Sequence, residues 1–276
     1  MNNKWTTNTI EIAGNDIFYT RTGGKKPPIV LAHGFTDDGS CWGDLAKDLQ
    51  ADYDLIMVDA IGHGKSSRIS KDKPIEMIED MHKLITALKL EKPAIIGHSM
   101  GAATAAGFAA QYPDEVSVIA LEDVPWFDKS PLSIKSLKEG KPSYQDTLVQ
   151  LQKGTIKEAI AFGKKKRNYW SKTIIESWAR SKMKFDLSFF ETKMPESPKW
   201  QDIAARIQCP TLLLTGDNDL HALVTPKIAT EALKIMPQVQ WAHIPGAGHC
   251  IRYDKYPIYL TVVKAFLNRE YKPVHK

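Results

Sequence analysis

The strongest constraint on the fold is a short segment in which a serine lies between two glycines at fixed spacing. Gly97, Ser99 and Gly101 form a G-x-S-x-G pattern. The apolar run 93–96 before it predicts a buried strand, and the small residues after it predict a helix from Met100 to Gln111. A turn this sharp holds Ser99 in a strained backbone conformation and forces the two glycines together. The segment therefore predicts a nucleophile elbow, with the helix N-terminus directed at a developing oxyanion.

The composition suits a protein with a substantial core. The chain has 276 residues, 43% of them hydrophobic, and a net charge of +5 that is spread along its length, which predicts no nucleic-acid partner. Cys41, Cys209 and Cys250 are too widely spaced for a metal site and are interpreted as reduced thiols. No signal peptide or membrane-spanning run is visible, so we expect a cytoplasmic monomer or homodimer with no membrane partner.

Strand-like and helix-like segments alternate along most of the chain, which predicts a mostly parallel sheet with helices on both faces. A hairpin is expected first, with strands at 9–12 and 17–20. Further strands are expected at 28–32, 53–58, 116–121, 210–215 and 239–244, and further helices at about 41–50, 75–90, 226–235 and 258–268.

One segment breaks this alternation. Between Trp126 and about Trp200 no strand-like run occurs, and lysines mix with aromatic residues at roughly helical spacing. We interpret residues 125–200 as an inserted helical cap, and residues 1–124 and 201–276 as the α/β core. The run 164–167 of three lysines and an arginine is interpreted as a solvated face of this cap.

A serine nucleophile needs a base, and the base needs a carboxylate to orient it. The predicted last strand leads to His249, which we take as the base. Asp219 follows the predicted strand 210–215 and completes the order Ser, Asp, His, so we predict it as the carboxylate. Asp123 also follows a strand and is the main rival, whereas Asp217 is better suited to capping a turn.

Several motifs in one order resemble the α/β-hydrolase superfamily, in particular its serine esterases and lactonases, with haloperoxidase-like and C–C hydrolase-like members close by. The matching residues are His33-Gly34-Phe35, Asp59-x-x-Gly62-x-Gly64-x-Ser66, the elbow, Gly216-x-x-Asp219 and Gly248-His249. The resemblance implies eight strands, a cap inserted after the sixth, and an oxyanion hole formed by the N–H groups of Phe35 and Met100. It implies no metal or organic cofactor.

The expected function is hydrolysis of small carboxylic esters or lactones through an acyl-enzyme on Ser99. His33, Gly34, Trp126 and Phe127 are the predicted substrate-binding residues, the last two because they open the cap directly beyond a strand. Two alternatives stay open at this point, since a fold does not determine a substrate. One is a C–C or amide hydrolase with the same triad, and the other is a ligand receptor that turns over slowly.

Overall fold

A computed structural model describes residues 5–70, 73–127, 143–192 and 198–272. Eight strands form one sheet in the order β1-β2-β4-β3-β5-β6-β7-β8. The strands are β1 Thr6–Ile12, β2 Asn15–Arg21, β3 Pro28–Ala32, β4 Asp54–Val58, β5 Ala94–His98, β6 Ile119–Glu122, β7 Thr211–Thr215 and β8 Val239–His243. The β1–β2 and β2–β4 pairs are antiparallel, and the remaining pairs are parallel. The predicted fold class is confirmed.

The described helices connect these strands. They are α1 Gly43–Leu49, α2 Met77–Ala87, α3 Met100–Gln111, α4 Tyr144–Lys153, α5 Ile156–Lys166, α6 Lys172–Lys184, α7 Trp200–Ala204, α8 Pro226–Ile235, α9 Ile251–Asp254 and α10 Tyr256–Glu270. Short 3-10 turns lie at Gly39–Trp42, Pro113–Glu115, Leu187–Phe190 and Asn218–Leu220. None of the helices in the described ranges is both long and apolar enough to cross a bilayer.

Both faces of the sheet are covered because side chains alternate along each strand. Ile95 of β5 packs in a cluster with Phe108 of α3 and Ile228 of α8. Its neighbour Ile96 points to the opposite face, where the cluster includes Phe266 of α10. Apolar residues at successive positions of one strand therefore supply both cores, which is typical of a buried parallel sheet.

The segment between β6 and β7 is helical where the structure describes it. Helices α4 and α5 each begin with a capping box, formed by Ser143 with Asp146 and by Thr155 with Glu158. Lys164, Lys165 and Lys166 are exposed at the end of α5. The part of the predicted cap at 128–142 and at 193–197 lies outside the described residues, and the domain boundaries at 125 and 200 stay a prediction.

Candidate active site

The serine at the elbow has the strained backbone that the sequence predicts. Ser99 lies between β5 and α3 with φ 50° and ψ −115°. A Cβ atom on Gly97 would lie 2.3 Å from the carbonyl oxygen of Gly101, and one on Gly101 would lie 2.2 Å from that of Ala32. Both positions therefore exclude any side chain, and α3 can begin directly against the ends of β3 and β5.

A histidine and a buried aspartate continue from Ser99 in one line of hydrogen bonds. The Nε2 atom of His249 lies 3.0 Å from the Ser99 hydroxyl oxygen, and its Nδ1 atom lies 2.6 Å from a carboxylate oxygen of Asp123. Asp123 is fully buried and also accepts hydrogen bonds from the N–H groups of Leu223 and Val224. These donors stabilise an ionised carboxylate that can orient and charge-stabilise the imidazole.

Asp219, the predicted carboxylate, does not take this position. It is exposed in a 3-10 turn after β7, whereas His249 Nδ1 is bonded to Asp123. The assignment of the carboxylate partner of His249 is therefore corrected from Asp219 to Asp123. Asp217, the third aspartate considered, stabilises a turn. Its carboxylate accepts from the N–H of Gly246 and lies 2.9 Å from His243 Nε2.

The pairing register of the sheet explains why Asp123 reaches the site. His98 pairs with Glu122 across β5 and β6, so the next residue of each strand, Ser99 and Asp123, leaves the sheet side by side. The Ser99 N–H donates to the Glu122 carbonyl, and the Asp123 N–H donates to Leu214. Asp123 has φ 44°, a positive value that is uncommon for residues other than glycine and that these contacts maintain.

The loop that carries His249 is held from two sides. Glu122 is buried and accepts from the backbone N–H of Arg252 at 2.9 Å and from its guanidinium at 2.8 Å. His98 Nε2 donates to the carbonyl oxygen of His249 at 2.9 Å. Burial keeps the His98 pKa well below its ordinary value, so the ring is neutral and uses its one N–H for this bond. Neighbours of Ser99 and Asp123 thus position His249.

The two predicted oxyanion donors flank Ser99. Met100 is the first residue of α3, so its N–H has no intrahelical acceptor. The loop after β3 passes over the serine, since a Cβ on Gly34 would lie 3.4 Å from the Ser99 Cβ and 2.5 Å from His98 Nδ1. Within the described chain, the N–H groups of Phe35 and Met100 donate no hydrogen bond to another protein atom. They are available to a substrate oxygen.

His33 and Gly34, predicted to bind substrate, shape the loop over the serine. His33 Nε2 accepts from the N–H of Ala60 at 3.0 Å, and Nδ1 donates to the Gly34 carbonyl at 2.9 Å. Both ring nitrogens are therefore used within the protein. The His33 side chain also forms part of a cavity wall.

Trp126, the other main candidate for substrate contact, is buried. It is 3% exposed and stacks on Trp200, with ring centroids 4.9 Å apart and planes at 16°. The prediction that Trp126 borders the entrance above Ser99 is corrected, because this ring packs in the core below α3 and α8. Phe127 is half-buried at the last described position before 128–142, and its contact with substrate stays a prediction.

A cavity lies beside the elbow. Its walls come from the ends of β3 and β4 and from α2 and α3, and they include His33, Ala60, Met81, Met100, Gly101 and Thr104. Asp80 of α2 is the one carboxylate among the lining residues. Burial raises its pKa from 3.8 to about 6.

No group of three or more His, Cys, Asp or Glu side chains in the described ranges is arranged to hold a metal ion. Cys41, Cys209 and Cys250 are free thiols. Burial raises the pKa of Cys209 to about 11 and that of Cys250 to about 12. These thiols are therefore poor nucleophiles at neutral pH. The Ser99 hydroxyl differs from them because it lies within hydrogen-bond distance of His249 Nε2.

The chain belongs to the α/β hydrolase fold family, whose sequence profile matches residues 27–256. It is 25% identical over 250 residues to the esterase YbfF of Escherichia coli K12, covering 87% of this chain and 93% of that protein. It is 27% identical over 251 residues to the mouse sn-1-specific diacylglycerol lipase ABHD11, covering 87% and 81%. A thioesterase domain from the curacin biosynthetic pathway shares the fold, with a TM-score of 0.75 and 19% identity over 95% of this chain and all of that domain.

Sequence reasoning missed three charged residues of the site. Glu122 and Arg252 form the buried pair beneath His249, and Lys182 of α6 reaches the loop after β3. Arg252 follows His249 by three positions, which is the only local signal for it. Lys182 has no such signal, because lysines occur throughout the segment that contains it.

Proposed function

We propose that the protein is a serine hydrolase that cleaves small carboxylic esters or lactones through an acyl-enzyme. The single observation that carries the proposal is the continuous line Asp123–His249–Ser99, with separations of 2.6 and 3.0 Å. Distances in this range allow the imidazole to take the serine proton as the hydroxyl attacks. The names of the esterase and lipase relatives agree with ester chemistry.

In the acylation step, the Ser99 oxygen attacks the ester carbonyl carbon and His249 Nε2 accepts the hydroxyl proton. Asp123 stabilises the resulting imidazolium through Nδ1–H. The negative charge that forms on the carbonyl oxygen is received by the N–H groups of Phe35 and Met100, each worth about 3 kcal/mol in comparable sites. When the C–O bond to the alcohol breaks, His249 returns its proton to the leaving oxygen, and the acyl group stays on Ser99.

In the deacylation step, water replaces the alcohol and attacks the acyl carbon while His249 takes one of its protons. The same two N–H groups receive the oxyanion. Its collapse breaks the bond to Ser99, the proton passes from His249 to the serine oxygen, and a carboxylic acid leaves. An ester and water are thus converted to an acid and an alcohol, and a lactone and water to a single hydroxy acid, with no other reactant.

The cavity beside the elbow favours a substrate with an apolar acyl group. Met100 and Gly101, which directly follow the nucleophile, form part of its wall, and so does His33 of the loop over the serine. Mainly apolar walls with few polar groups are typical of small-molecule sites. An acyl chain that extends from the carbonyl held at Phe35 and Met100 would enter this space.

The test is turnover of p-nitrophenyl esters of increasing acyl length by the purified protein and by Ser99→Ala. We expect release of p-nitrophenol by the wild type only, and a single acyl group on Ser99 in the mass spectrum of the trapped protein. Anilide and vinylogous diketone substrates are assayed in parallel. Faster turnover of either class than of every ester, or equal turnover by Ser99→Ala, would overturn the proposal.

A further inference from the structure

The loop after β3, residues 33–38, carries one proposed oxyanion donor and is contacted by a buried lysine from another part of the chain. We call these six residues the oxyanion loop. Lys182 lies two residues before the end of α6, in the helical segment between β6 and β7, and is 2% exposed. Its ammonium group donates to the carbonyl oxygen of Thr36 at 3.1 Å and to the carboxylate of Asp37 at 2.6 Å.

Thr36 needs such support because its backbone is in an unfavourable conformation. Its φ is 68°, in the left-handed region that a β-branched residue rarely adopts. All three of its polar groups are held: the N–H donates to His63 Nε2 at 3.3 Å, the carbonyl accepts from Lys182, and the hydroxyl lies 2.7 Å from the hydroxyl of Tyr144. Two of the three contacts come from the helical segment between β6 and β7.

The charges around Lys182 are matched. Burial alone would raise the pKa of Asp37, but Lys182 and Arg252 together bring that pKa below its ordinary value. Arg252 lies 3.9 Å from the second carboxylate oxygen of Asp37. Lys182 and Asp37 are therefore both charged, and the ammonium group is firmly placed. A charged donor forms a stronger hydrogen bond to the Thr36 carbonyl than a neutral one would.

The side chain of Phe35 is held by the same helical segment. Its ring packs against Phe185, Phe189 and Phe190, with centroids 5.0, 5.1 and 5.6 Å away. The aromatic contacts hold the side chain of Phe35, and Lys182 holds the carbonyl oxygen of the next residue, Thr36. Together they connect the N–H of Phe35 to α6 and to the turn that follows it.

We propose that Lys182 is a positioning residue that orients the oxyanion loop, so that the helical segment between β6 and β7 sets the strength of the oxyanion hole. This inference rests on the proposed function, because it assigns the N–H of Phe35 to the ester carbonyl oxygen. Lys182 does not touch the substrate. Its effect is expected on the transition state, in which the oxyanion is formed, and much less on substrate binding.

The test compares Lys182→Met with Ser177→Ala in the same helix. The Ser177 hydroxyl lies 2.8 Å from the hydroxyl of Ser40, which lies outside the oxyanion loop, so its variant controls for a lost polar contact between α6 and the core. For Lys182→Met we expect kcat on p-nitrophenyl acetate to fall about 10- to 100-fold, with KM nearly unchanged, because the donor is weakened and its complete removal costs about 10²- to 10³-fold. Ser177→Ala is expected to match the wild type.

A trifluoromethyl ketone inhibitor provides a second readout, because it adds to Ser99 and places an oxyanion in the hole. Its affinity for Lys182→Met should fall by the same factor as kcat/KM. A purely structural role would instead lower the melting temperature and leave the inhibitor affinity of the folded fraction unchanged. That result would overturn the proposal.

Two further variants keep the test decisive if Lys182→Met does not fold. Lys182→Met combined with Asp37→Asn leaves no unpaired charge next to the loop, and Tyr144→Phe removes one contact to Thr36 from a half-exposed side chain. Both are expected to lower kcat, the second by a few-fold. Wild-type kcat in both would overturn the proposal. Absence of ester turnover by the wild type would instead defeat the proposed function, so the two failures are distinguishable.

Discussion

At the scale of single residues, Asp123 is the group on which the orientation of His249 depends. Replacing it with asparagine removes the acceptor that fixes the Nδ1–H tautomer, so we expect kcat for ester hydrolysis at neutral pH to fall by roughly 10³- to 10⁴-fold. Asp219→Asn is the matched control, since this exposed carboxylate has the same chemistry and follows a neighbouring strand. A larger loss in Asp219→Asn than in Asp123→Asn would contradict the geometry.

Asp80 should make the stability of the protein depend on pH. Burial raises its pKa from 3.8 to about 6, so the folded state binds a proton that the unfolded state has already lost in that interval. Ionised Asp80 lowers the free energy of unfolding. This effect is absent below pH 3.8, grows as the pH rises, and is complete above about pH 6. The stability of Asp80→Asn relative to the wild type should therefore increase by about 1 kcal/mol over this range, after allowance for solvent screening.

Denaturant unfolding at several pH values measures this difference. Asp202→Asn is the control. Both carboxylates lie in the first turn of a helix, Asp80 in α2 and Asp202 in α7, but Asp202 is exposed whereas Asp80 is partly buried. The change with pH should be larger for Asp80→Asn than for the control. A difference for Asp80→Asn that shrinks as the pH rises would have the wrong sign for a buried carboxylate.

At the scale of elements, the junction of β5 with α3 depends on close backbone contact. Gly101→Ala would place a methyl group 2.2 Å from the Ala32 carbonyl oxygen, so β3 and α3 must separate. We expect the free energy of unfolding to fall by about 1–3 kcal/mol and ester turnover to be lost. Gly43→Ala at the start of α1 is the control, because nothing lies within 4 Å of the added Cβ.

Gly43→Ala should leave turnover unchanged and stabilise the protein by about 0.4–1 kcal/mol, because alanine has less freedom in the unfolded chain. Chemical denaturation and p-nitrophenyl acetate assays on both variants make the comparison. Equal stability of Gly101→Ala and the wild type would contradict the prediction, because it would show that β3 and α3 can move apart without cost.

The elements that carry Ser99, Asp123 and His249 are joined by buried charges. Glu122 at the end of β6 binds Arg252 at the start of α9, and Arg252 in turn lies near Asp37 of the oxyanion loop. The Arg252 guanidinium also stacks on Trp42, 4.0 Å from the ring centroid. Buried pairs of this kind contribute little net stability, but loss of one partner is strongly destabilising because it leaves an unpaired buried charge.

At the scale of the whole molecule, the cavity depends on packing between the sheet, α2 and α3. Ala60→Leu adds bulk to its wall and should reduce kcat/KM for octanoate and hexanoate esters more than for acetate, by roughly tenfold per two or three methylenes excluded. Ala51→Leu on the exposed surface is the control. If both variants keep the wild-type chain-length profile, the acyl chain occupies another space.

Local sequence determined much of this molecule. The elbow, the alternation of strands and helices, and the loop that carries His249 are each readable from a few adjacent residues. This is because glycine spacing, apolar periodicity and turn composition act over short distances. The ends of α8 were predicted at the residues observed, since Thr225 caps the helix and Pro226 opens it.

Only the tertiary structure decided which aspartate orients His249, where Trp126 lies, and that Lys182 is buried. Asp123 and Asp219 satisfy the same chain order, and the choice depends on strand register and on N–H groups of Leu223 and Val224, about 100 residues away. Lys182 meets Asp37 across 145 residues. A side chain's partners at such separations are set by how the elements pack, and the flanking sequence carries no record of that packing.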